Sequence, residues 1–142
     1  VTIEKSFAPF DELPAPLQNS AFQAGQELAW PRRNAVEVIR WLGRKGLSVC
    51  GIEIWLPSAL GPEIPSPIIY TWEARPQDKK ESWSDFVERS NRTARAYVEE
   101  FQWDQEDVAY QSREPFFNLE VHSPEQERAE EAPPEAEDLP CD

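Results

Sequence analysis

The chain has 142 residues, and its 27 aspartates and glutamates outweigh 14 lysines and arginines to give a net charge of -13. That length suits one domain able to bury roughly two thirds of its unfolded surface. The acidic balance argues against nucleic acid as a partner, because gripping a phosphate backbone takes cations that release counterions, and it favours a basic partner instead.

No apolar run is long enough to span a membrane. The opening VTIEKSFAPF lacks the basic and apolar regions of a signal peptide. A soluble, cytoplasmic protein with no membrane contact is expected.

In residues 1–29 the isolated apolar side chains Phe7, Phe10, Leu13, Leu17 and Phe22 alternate with Pro9, Pro14 and Pro16. The prolines forbid a long helix and leave turns with at most one short helical piece, a segment expected to wrap the domain surface. Pro31 then suits a first helical position, Ala35, Val36, Ile39 and Leu42 recur at helical spacing, and Gly46 supplies a left-handed stop. This predicts a helix over Pro31 to Lys45, with Arg32, Arg33, Glu37, Arg40 and Arg44 on a solvated face.

Leu47 to Leu56 alternates as a strand, with Cys50, Ile52, Ile54 and Leu56 on a face packed against helices and Leu47, Val49, Glu53 and Trp55 on the other. Pro57, Pro62, Pro65 and Pro67 mark a stiff surface loop. Ile68 to Glu73 resumes the strand pattern, pairing antiparallel with the first.

Ser82 and Asp85 form a capping-box-like pair ahead of Trp83, Phe86, Val87, Ser90, Ala94, Tyr97, Val98 and Phe101, which predicts a second helix over Trp83 to about Phe101. An acidic turn follows at Trp103, Asp104, Glu106 and Asp107, then a short strand over Phe116 to Val121. Residues 123–142 hold eight acids, one arginine and a single large apolar side chain, Leu139, a composition expected to stay disordered. The expected fold class is therefore α+β. It is a single small domain over residues 30–122, an antiparallel sheet of about three to four strands packed against two main helices, with the wrapping segment before it and the acidic tail behind it.

Chemistry is sparse. His122 is the only histidine, no Cys-x-x-Cys or Asp-rich loop offers metal-ligand spacing, and no glycine-rich phosphate loop exists. No metal and no cofactor are expected. Cys50 reads as a small strand residue and Cys141 as an exposed tail thiol, with nothing to bring them together. Glu53 and Glu73 could face each other on neighbouring strands as a hydrolytic carboxylate pair, a coincidence common in so acidic a chain. Of the six tryptophans, Trp41 and Trp83 suit the core, whereas Trp55, Trp72 and Trp103 are less settled. Trp103 among Asp104, Glu106 and Asp107 has the composition of an interface for a basic partner.

Taken together, AWPRRNAVEVIRWLGRKGLSVCGIEIWLP, IIYTWEA, ESWSDFVERSNRTARAYVEEFQW and PFFNLEV resemble the immunity protein 40 family of bacterial polymorphic toxin systems over about Leu28 to Val121. The resemblance rests on Trp55-Leu56, Tyr70-Thr71-Trp72, Ser82-Trp83-x-x-Phe86 and Phe117-Asn118-Leu119. It implies a small α+β protein, not an enzyme, that neutralises a cognate toxin domain inside the producing cell. The candidate interface is Glu53, Trp55, Glu63, Glu73, Trp103, Asp104, Glu106 and Asp107, expected on one strand face and the adjacent loops. The alternative is an acidic adaptor or scaffold that recruits a partner through its tail.

Overall fold

Prolines divide the amino-terminal segment into a 3-10 turn at Ala8–Glu12 and the short helix α1 (Ala15–Asn19) in the computed structural model, which describes residues 8–65 and 69–124. Phe10 and Leu13 are nonetheless buried. Phe10 meets Trp30 edge-on at 5.2 Å, and the Trp30 indole donates to the Leu17 carbonyl at 2.8 Å. The segment thus contributes to the core as well as covering it.

After α1, β1 (Phe22–Ala24) and β2 (Glu27–Pro31) form an antiparallel hairpin. The division expected after residue 29 falls inside β2. Pro31 caps α2 (Arg32–Arg44), and Gly46, at φ 75, turns the chain into β3 (Ser48–Ser58). Then come β4 (Gly61–Glu63), β5 (Thr71–Glu73), α3 (Trp83–Glu100), a 3-10 turn at Val108–Tyr110 and β6 (Phe116–His122).

The sheet runs β1-β2-β6-β3-β4, with β5 also paired to β3, and every pairing is antiparallel. This corrects the expected three to four strands. The extra strands are β1, β2 and β4: two of them are three residues long, and Pro62 sits inside β4, so no alternation announces them. The acidic tail lies outside the described residues.

The strand parity also needs one correction. The β3–β6 register slips between Val49 and Gly51, and this bulge puts Val49 in the core with no exposed surface and leaves Cys50 half-buried. Beyond it the alternation holds, with Ile52, Ile54 and Leu56 facing the helices.

Both main helices lie on that one face of the sheet. From α2 come Ala35, Val38, Ile39, Trp41 and Leu42, and from α3 Ala94 and Val98, in one core with the inner residues of β2, β3 and β6, while Phe86 and Val87 of α3 are also buried. Ser82 Oγ accepts the Asp85 N–H at 3.0 Å, as the cap pattern implies. Asn91, on the buried side of α3, accepts from the Val49 N–H at 2.8 Å and donates to the Leu47 carbonyl at 3.0 Å, tying helix to strand.

Arg32, expected on a solvated face, instead donates to the carbonyls of Val98 at 2.7 Å and Phe101 at 3.0 Å. These are carbonyls that the end of α3 leaves without helical partners. Arg89 pairs with Glu81 at 2.8 Å and donates to the Arg75 and Pro76 carbonyls, fastening the segment before α3. Its guanidinium holds the Glu81 carboxyl down at about 2.

Candidate functional site

The eight residues singled out from the sequence fall into two groups. The first lies on the sheet face turned away from the helices. Cross-strand registers align Glu53 with Asn118 and Thr71, Gly51 with Glu120 and Glu73, and Trp55 with Phe116. Glu53 and Glu73 are therefore diagonal neighbours, and both line a shallow hollow of about 220 Å³ floored by Gly51.

A Cβ at position 51 would lie 2.8 Å from Glu120 Oε1, so the glycine is what lets that carboxylate lean across the strand. Glu120 meets His122 Nε2 at 3.1 Å, a hydrogen bond that lowers its carboxyl pKa. Trp55 is no exposed anchor: it is 3 % exposed, its indole donates to Glu53 Oε1 at 3.0 Å, and Phe22 sits edge-on to it at 6.1 Å.

The second group is at the end of the sheet where β3 turns into β4. Trp103 is also buried, at 9 % exposure. Its ring packs against Tyr70 at 5.1 Å, Phe101 at 5.1 Å and Tyr110 at 5.0 Å, while its indole donates to the Arg113 carbonyl at 3.0 Å. Tyr70 donates to Asp107 and accepts from the Asp104 N–H at 3.0 Å. Burial first, and then the bond to Asp107, push its phenol pKa up.

Asp104 Oδ1 accepts the Glu106 N–H at 2.9 Å, and the Gln111 amide donates to the Asp104 carbonyl at 2.6 Å. The acidic turn is thus tied down through its backbone, leaving Asp104 and Glu106 exposed. Glu63, on β4, joins the same end through an ion pair with Arg113 at 2.9 Å.

What sequence reasoning missed is the apolar part of this end. Leu60 (101 % exposed), Val108 (76 %), Ile69 (57 %) and Ile64 are exposed, Val108 directly after Asp107 and Ile64 directly after Glu63. Ile69 and Asp104 line one hollow of about 340 Å³ with Tyr97 and Phe101. For Leu60, Ile64 and Val108 the signal was present as aliphatic residues inside proline-rich or acidic loops, where no helix or strand pattern gives them a buried face, whereas Ile69 fell in the expected strand, which begins only at Thr71. Exposed aliphatics rimmed by carboxylates suit contact with another protein surface.

Among the described residues no group of three or more His, Cys, Asp or Glu side chains could hold a metal ion, and no helix is long and apolar enough to cross a membrane. A family model described as Immunity protein 40 matches residues 16–119. No match was found among curated proteins or among solved structures.

Proposed function

The chain belongs to the immunity protein 40 family, and from that premise we propose that it is a non-enzymatic immunity protein that neutralises a cognate polymorphic toxin domain in the cytoplasm of the producing bacterium. Membership implies a toxin as the protein partner. The proposed contact is the loop end, with Leu60, Ile64, Ile69 and Val108 as its apolar centre and Glu63, Asp104 and Glu106 as an acidic rim for a basic toxin surface.

Glu53 and Glu73 on the open sheet face form a secondary contact. Trp55, Trp103 and Asp107 support the surface from below. One observation carries this choice: exposed Ile69 shares a hollow with Asp104, Tyr97 and Phe101 over the packed rings of Tyr70, Trp103 and Tyr110, and the exposed Glu106 makes no ion pair among the described residues.

The test is stopped-flow association with the toxin domain encoded beside the gene, comparing the chain with an Asp104→Asn, Glu106→Gln double variant. Asn at 104 keeps the oxygen that accepts the Glu106 N–H. The variant should associate about tenfold more slowly at low salt and converge with the parent at high salt, because rim charges act on encounter. Equal rates at low salt would rule out this rim.

A further inference from the structure

A cationic groove lies on the opposite side of the sheet from Glu53 and Glu73. It is a groove of about 500 Å³ between α2 and α3, with Arg40, Arg44 and Arg95 on its walls against the single carboxylate of Glu88. Arg40 shares its charge with Glu37 at 3.5 Å, whereas Arg44 and Arg95 make no ion pair among the described residues. Trp83 closes one end of the groove, its indole held on the Gly46 carbonyl at 2.8 Å.

We propose that residues 125–142, the acidic segment that follows β6, occupy this groove in the same molecule. Three observations lead there. Residues 125–142 hold eight acids and one arginine, the charge complement of the groove. β6 ends at His122, which pairs with Ser48, two residues from the groove-lining Gly46.

Reach is the third. A strand pairing spans about 5 Å, and two residues of chain span about 7 Å. An extended segment advances about 3.5 Å per residue, so Glu125 and Glu127 can arrive at the groove without detour. Tethering also raises the effective concentration into the millimolar range, so exposed ion pairs too weak to hold a free peptide suffice here.

The experiment uses the full chain carrying Cys50→Ser, Cys141→Ser and Ala129→Cys, with a nitroxide on the new cysteine and amide resonances read with the label oxidised and reduced. Selective intensity loss at Arg44, Gly46, Ser84 and Arg95 is expected. It should disappear in 1 M salt, where the Debye length is about 3 Å, and in an added Arg44→Gln, Arg95→Gln variant. Absent or evenly spread broadening, or broadening centred elsewhere, overturns the proposal. So does broadening that transfers undiminished to an unlabelled copy mixed with a spin-labelled one, since the segment would then bind between molecules.

Discussion

On the open sheet face Glu53 accepts the Trp55 indole and Glu120 leans over Gly51 to His122, so those carboxylates are tied sideways to their own neighbours. At the loop end the tying runs within the turn itself: the Tyr70 hydroxyl, the Asp104 and Asp107 oxygens and the Trp103 indole fasten it. The Glu106 carboxylate and the aliphatic tips remain outside this network. A pleated sheet fixes its side chains by register alone, but a loop gains equal definition only from a base beneath it. The two regions should therefore fail differently when altered.

The largest effect is expected from Trp103→Ala, which removes the centre of that base. Stability in chemical denaturation should fall by about 3–5 kcal/mol, the usual range for a buried tryptophan, and toxin binding should fall with it. A loss no greater than that of an exposed substitution would mean that the loop holds its shape by another route.

A Leu60→Ser, Val108→Ser double variant separates display from support. Toxin affinity should drop at least tenfold, about 1.4 kcal/mol, with stability changed by no more than about 0.5 kcal/mol. A Glu53→Gln, Glu73→Gln variant should lose less. The reverse order in calorimetric titration would move the contact to the sheet face.

Tyr97 lies in the loop-end hollow stacked on Trp72 at 6.1 Å, and its buried hydroxyl has no hydrogen-bond partner among the described residues. Burial pushes its phenol up to about 12. Tyr97→Phe should raise stability by about 1 kcal/mol, because an unsatisfied buried hydroxyl is removed. A fall in the melting temperature would contradict this.

Acid gives the smallest effect and belongs to the sheet face. Glu120 is lowered from 4.5 by His122. Its contribution is therefore present above that value and lost as pH falls below it. Glu120→Gln should flatten the acid limb of the stability curve slightly, and an unchanged slope would show that the His122 contact carries no free energy.

Both main helices were legible because periodicity, Pro31, Gly46 and the Ser82 cap all point the same way. The bulge at Val49–Gly51 was not, since it arises from pairing with β6 and leaves no mark on β3 itself. The β1–β2 hairpin was masked by its proline-rich approach and by strands too short to alternate, although Gly25, at φ 62, stands at its turn.

At the site, residue types misled in one direction. Trp103 among acids looks the same in sequence whether the ring points out or into Tyr70, Phe101 and Tyr110. Only the fold distinguishes these. Leu60 and Val108 carried the opposite ambiguity, aliphatics that could have been ordinary filler.

β6 lies between β2 and β3, yet among the described strands it is the last to be made. The β1–β2 hairpin and the β3 region meet in the sheet only through it. At about 5–20 residues per second, β2 emerges from the ribosome several seconds before its neighbour exists, and those pairings close across long sequence separations that slow folding. The two halves of the sheet are therefore joined only on the arrival of the Phe116–His122 strand.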